Sequence, residues 1–123
     1  MIPKWERILI HHSASHDTEA QNSEAIRRYH VEERGWIDVG YHYLVENIRG
    51  FYAAVPGRSL GKAGAHCPGQ NSVAIGVCLI GNFVSEAPNT AHLNKVAELC
   101  AELCIRFGIP VEEIHPHNRF RKT

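Results

Sequence analysis

The amino-acid sequence predicts an α/β (α+β) fold, a mixed central β-sheet flanked by helices, in a single domain over residues 1–123. Three observations lead there. Two apolar runs, Ile8-Leu9-Ile10 and Val73 to Ile80, lack the polar alternation of a half-exposed strand, so they read as strands covered on both faces. Leu93, Val96, Cys100, Leu103 and Phe107 recur at helical spacing. Strand-like and helix-like segments interleave, and 123 residues leave room for one core rather than two.

The first strand, Ile8-Leu9-Ile10, runs into His11-His12-Ser13, so polar groups appear where the chain leaves the sheet. Residues 16–22 are polar and are expected to form a loop. From Ser23 to Arg34 the pattern predicts a helix with Ser23 as its cap, Ile26 and His30 on one face, and Gly35 as its stop. Tyr41 to Glu46 is strand-like, Asn47 to Gly50 a turn, and Phe51 to Val55 the returning hairpin partner. Residues 56–69 carry Gly57, Gly61, Gly64 and Gly69 and read as loop. Ser72 to Ile80 is the second buried strand. Thr90 to Phe107 is the clearest helix, ended by Gly108-Ile109-Pro110. No repeat, linker or low-complexity tract interrupts the chain.

Lys plus Arg and Asp plus Glu are both 13, so no basic bias points to nucleic acid and no polybasic stretch to a membrane surface. No apolar run is long enough to span a bilayer. The first residues, Met1-Ile2-Pro3-Lys4-Trp5, lack the apolar core of a secretory signal, so synthesis in the cytoplasm is expected. Cys67, Cys78, Cys100 and Cys104 form no CxxC pair and read as small buried hydrophobes rather than a disulfide framework. The unusual count is His, at 9, which raises the prior for a metal or acid–base site.

Three segments concentrate that chemistry: His11 at the end of the first strand, Gly35 to Tyr43, and the tail from His115 to Thr123. By residue type alone none is diagnostic. His11 is compatible with a core histidine ending a strand, Tyr41 with a packing aromatic, and His117 with an exposed loop residue.

Together the segments resemble the zinc-dependent N-acetylmuramoyl-L-alanine amidase family, which includes bacteriophage lysozyme-amidases and peptidoglycan recognition proteins. The resemblance rests on Ile8-Leu9-Ile10-His11-His12-Ser13-Ala14, on Gly35-Trp36-Ile37-Asp38-Val39-Gly40-Tyr41-His42-Tyr43, and on Gly64-Ala65-His66. Asn71 to Asn82 and His117-Asn118-Arg119-Phe120 continue it, in family order, over nearly the whole chain. It implies an amidase domain that cuts the bond between N-acetylmuramic acid and L-alanine of peptidoglycan by a zinc-activated water.

The resemblance further implies that His11 and His117 are zinc ligands, His117 being preferred to its neighbour His115. A cysteine ligand and a water complete such a site, an open arrangement suited to catalysis. Tyr41 matches the family's site tyrosine and is assigned to stabilise the oxyanion or relay a proton. Thr123 fills a position held by Lys or Thr and is assigned to orient the same oxygen. His66, in the Gly-rich loop, is left between a substrate contact lining the cleft and an ordinary surface residue. His12 and His42 are expected to be structural. Trp36 and Asp38 are expected to organise the turn before Tyr41.

One departure stands out. The family's cysteine ligand would lie two residues beyond Thr123, and none of the four cysteines of the chain matches it. The expectation is therefore a C-terminally incomplete amidase domain, with residues 115–123 loosely held for want of a metal anchor. The rival reading is a module that binds peptidoglycan or muropeptide without cutting it. Either way the expected partner is cell-wall muropeptide, without nucleic acid or membrane insertion, met by a monomer. A phage holin-type release would bring it to the wall.

Overall fold

In the computed structural model, residues 4–13, 22–81 and 87–117 are described. Five strands form one sheet: β1 (Arg7–His12), β2 (Tyr43–Ile48), β3 (Phe51–Pro56), β4 (Ala74–Leu79) and β5 (Ile114–Pro116). Their order is β3-β2-β4-β1-β5. β2 and β3 are an antiparallel hairpin, while β2 with β4, β4 with β1, and β1 with β5 run parallel. The predicted mixed sheet is thus present. The two apolar runs occupy its middle because those strands must be covered on both faces.

Helix α2 (Thr90–Phe107) has the bounds the apolar spacing predicts. The Asn89 side chain accepts from His92 N–H at its start, and Gly108 closes it at φ 66°, a left-handed conformation that suits glycine. Its buried stripe, Val96, Leu99, Cys100, Leu103 and Cys104, packs on Ile8, Val45, Ile75, Val77 and Leu79 of the sheet. All four cysteines are free and buried, as their reading as small hydrophobes requires.

Strand alternation sends the neighbouring residues to the opposite face. There Leu44, Cys78 and Ile80 pack with Val39, and Leu9 and Ala74 pack with Cys67. His11 shares that face, paired in register with Cys78. One face of the sheet therefore serves the core under α2, and the other supports the polar groups gathered near His11.

Three local expectations change. The helix from Ser23 keeps α geometry only to Arg28 as α1 and continues as a π-helical segment over Tyr29–Glu33. Such wide turns are rare and occur often at functional sites. Its cap is Asn22, whose side chain accepts from Ala25 N–H. Ser23 instead donates through its backbone N–H and its hydroxyl to the Glu46 carboxylate, at 3.0 and 2.9 Å, and so ties α1 to β2. Tyr41 lies just before β2 rather than inside it, since pairing begins at Tyr43.

The tail differs too. Of the stretch expected to be loosely held, His115 and Pro116 join Ile114 in β5, paired with Ile8, Leu9 and Ile10, and residues 118–123 lie outside the described residues. Among the described residues no helix is long and apolar enough to cross a membrane.

Candidate functional site

A cleft of about 650 Å³ opens over the end of β1 and is lined by His11, His30, Trp36, Tyr41, His66 and His117, among others. The register of the edge strand explains how its two ends of sequence meet. Ile10 pairs with Pro116, so the next residue on each strand, His11 and His117, falls side by side. Their ring centroids are 4.3 Å apart. The neighbouring candidate, His115, is engaged elsewhere, with Nε2 2.8 Å from Glu113 Oε1.

Tyr41 reaches the same place from the segment before β2. Its ring centroid is 5.2 Å from that of His11 and 5.8 Å from that of His30. Burial, with the neighbouring Cys78 thiol, pushes its pKa above the usual phenol range, so the hydroxyl keeps its hydrogen near neutral pH.

Close glycine contacts set the Tyr41 segment in place. A Cβ on Gly40 would lie 2.3 Å from the Ala65 carbonyl oxygen, so only glycine lets these two walls of the cleft approach. Arg58 fastens them. Its guanidinium donates to the carbonyls of Val39, Asp38 and Ala63, at 3.0, 3.1 and 3.0 Å. Sequence reasoning gave Arg58 no part, since an arginine in a Gly-rich loop carries no local signal of backbone partners.

His66 is buried, at 8% exposure, which removes the surface reading of this residue. Its Nδ1 lies 2.9 Å from His11 Nε2, and its Nε2 lies 2.9 Å from the Ala74 carbonyl. The Asn71 side-chain oxygen holds the loop beneath it by accepting from His66 N–H and Cys67 N–H, at 2.8 and 2.9 Å. Burial first, then His66, His117 and His12, lowers the His11 pKa to about 2. Burial also lowers that of His66 to about 4, although the hydrogen bond to Ala74 opposes it. Both rings are therefore neutral near pH 7, the state a metal-binding imidazole requires.

His42 is buried and packed, as expected, with Nδ1 accepting from Gly76 N–H and Nε2 donating to the Lys62 carbonyl. His12 is exposed at the cleft rim. Asp38 serves the turn, accepting from Val39 N–H and facing Arg27 at 3.5 Å. Trp36 does more than shape a turn, because its ring forms a wall of the cleft 4.6 Å from that of His30.

His30 is the lining residue the sequence concealed. It had the spacing of an apolar helical face, four residues after Ile26. The π-helical segment turns it into the cleft, where Nδ1 accepts from Gly40 N–H at 3.0 Å. Arg34, near the end of that segment, puts a cation at the same rim. Thr123 and residues 118–120 lie outside the described residues.

For a zinc ion, His11 and His117 supply two neutral-capable nitrogen donors side by side at a cleft wall, which fits part of a tetrahedral set. Among the described residues no group of three or more His, Cys, Asp and Glu completes one.

Residues 3–123 match the family model described as N-acetylmuramoyl-L-alanine amidase. The chain is 34% identical over 90 residues to the N-acetylmuramoyl-L-alanine amidase of Sus scrofa, covering 73% of this chain and 14% of that protein. It is 35% identical over 106 residues to the endolysin of Klebsiella phage KP32, covering 82% of this chain and 68% of the endolysin. The structure of bumblebee PGRP-SA superposes with a TM-score of 0.84 at 28% identity, over 100% of this chain and 78% of the bumblebee protein. The chain thus spans only about one seventh of the length of the pig relative, but two thirds of the phage one.

Proposed function

This chain belongs to the N-acetylmuramoyl-L-alanine amidase family, and we propose that it hydrolyses the amide bond between N-acetylmuramic acid and L-alanine in bacterial peptidoglycan. The observation that carries the reading is the convergence of His11, His117 and Tyr41, from three separate segments, on one cleft.

In this reading His11 and His117 hold zinc. A cysteine at the position two residues beyond Thr123 would complete the protein ligands. Bound zinc would lower the pKa of a water toward neutrality and polarise the scissile carbonyl. The chain's own residues do the rest. Tyr41, protonated near neutral pH, donates its hydroxyl hydrogen to the oxygen that gains charge as the carbonyl is attacked. Thr123 orients the same oxygen. His30 and Trp36 bound the cleft that positions the muropeptide, and the Arg34 guanidinium at the rim suits the carboxylates of a stem peptide. The Gly40–Ala65 approach and the Arg58 clamp keep the two walls at fixed separation, so Tyr41 keeps its place relative to His11.

A binding module without turnover is the alternative, and the likeness to PGRP-SA supports it. One experiment separates the two. The chain, and the chain extended to carry a cysteine two residues past Thr123, are incubated with zinc and muropeptide, and free stem peptides with a new L-alanine amine are quantified. The amidase reading expects release by the extended chain and its loss when that cysteine is replaced by serine. Binding of muropeptide with no release from mildly acidic to mildly basic pH would establish the recognition module instead.

A further inference from the structure

We propose that His66 is a positioning residue that fixes the tautomer of His11 and so selects the nitrogen His11 offers to a metal. The inference rests on the zinc reading of the site and deepens it.

One chain of hydrogen bonds runs from the Ala74 carbonyl through His66 to His11. The Ala74 carbonyl can only accept, so His66 Nε2, 2.9 Å away, carries a hydrogen. A neutral imidazole with hydrogen on Nε2 has its lone pair on Nδ1. His66 Nδ1 is 2.9 Å from His11 Nε2, so His11 Nε2 must be the donor. That leaves the lone pair of His11 on Nδ1. Ala74 is a residue of the central strand β4, so the chain starts from rigid backbone rather than from a mobile side chain.

The His66 ring is held in a slot made for it. A Cβ on Gly76 would meet its Cδ2, Cγ and Nε2 at 2.6, 2.7 and 2.9 Å, and one on Gly64 would meet Cδ2 at 2.5 Å. Two absent side chains thus make room for the ring against β4, and Asn71 holds its backbone N–H. Both ring nitrogens are engaged within the protein, which leaves neither for a hydrogen bond to substrate. Outer partners that accept the free ring N–H of a ligating histidine fix its orientation and raise its basicity, and their loss typically costs 10–100-fold in metal affinity.

The test reads proton positions directly. Two-bond proton–nitrogen correlation spectra of the histidine-15N-labelled chain, extended to carry the completing cysteine, are recorded near neutral pH, first without metal and then with zinc. His11 and His66 should both show hydrogen on Nε2, and zinc should perturb His11 at Nδ1. In His66→Phe, which keeps the ring volume and removes the acceptor, His11 should populate both tautomers. His66→Asn, which restores an acceptor near the same place, should return it toward Nε2–H. The His42 signals report whether the fold is kept. If His11 carries hydrogen on Nδ1 in the unsubstituted chain, the inference is overturned, whether or not any variant folds. An unaltered tautomer in folded His66→Phe overturns it as well. The expected tautomers with no zinc effect at either nitrogen of His11 would overturn the zinc reading and its selection of a nitrogen, so the two failures are distinguishable.

Discussion

The imidazoles of His11 and His117, from the first strand and from just beyond the last, lie with their ring centroids 4.3 Å apart at one wall of the cleft. Parallel pairing of β5 with β1 creates this neighbourhood, because Ile10 opposite Pro116 leaves the next residues adjacent. If the pair is a zinc site, each histidine is indispensable to it. His11→Ala and His117→Ala, made in the chain extended by the completing cysteine, should each lower zinc affinity by more than about a hundredfold, beyond what loss of an outer partner typically costs. Competition with a chromophoric chelator measures this. Near-normal affinity in either variant would remove that histidine from the site.

Tyr41→Phe should lower kcat by about a hundredfold to a thousandfold, the usual cost of removing one donor to an oxyanion, with little change in KM. Only a hydroxyl is lost, and the ring that packs beside His11 is kept. Thermal unfolding should therefore move little. A kcat equal to that of the unsubstituted enzyme would return Tyr41 to the role of a packing aromatic.

Gly40→Ala should destabilise the fold by ~1–3 kcal/mol, the usual cost of overpacking. The new Cβ would press on the Ala65 carbonyl at 2.3 Å and the Trp36 ring at 2.9 Å, and one of these contacts is backbone that cannot swing aside. Urea titration reports the loss. An unchanged midpoint would mean that the two cleft walls separate freely.

Leu103→Ala tests the opposite face of the sheet. Leu103 is 3% exposed within the core between α2 and the strands. Its truncation should cost ~2–5 kcal/mol from lost burial and the cavity left behind. Since the site lies across the sheet, spectra of the His11 and His66 imidazoles should be nearly unchanged at temperatures where the variant stays folded.

Acid should weaken the fold through His42. Burial lowers its pKa below 6.5, the Lys62 hydrogen bond opposes this, and Arg58 lowers it further. The rings of Trp5 and His66 also face it. A second ring hydrogen would have to enter at Nδ1, where Gly76 N–H already donates. The folded chain thus binds fewer protons than the unfolded chain in the window below the unfolded value. Stability is fully present above about pH 6.5 and falls as pH drops toward the lowered value. Urea midpoints at pH 7.5 and pH 5 should show the decrease, and imidazole titration of the folded chain should place His42 below the ordinary histidine value. A His42 that titrates at or above the ordinary histidine value in the folded chain would contradict this account.

The sequence by itself determined the elements whose signals are local. Apolar runs marked the inner strands, an apolar stripe ended by Gly108 marked α2, and motif-bearing segments marked His11, Tyr41 and His117 as the residues to watch. What it could not decide was anything that depends on partners distant along the chain. Strand β5 has three residues and is recognisable only by its pairing with β1, yet that pairing sets His117 beside His11. His30 kept a helical spacing in sequence and was redirected into the cleft by a π-helical turn, whose geometry local propensity does not encode. His66 could be placed in a loop but not between His11 and the Ala74 carbonyl, because that position exists only once Gly64 and Gly76 have cleared a slot against β4. Local hydrophobic period is a property of neighbouring residues. Register, close approach and proton position arise from contacts made after the chain has closed, and those the tertiary structure alone decided.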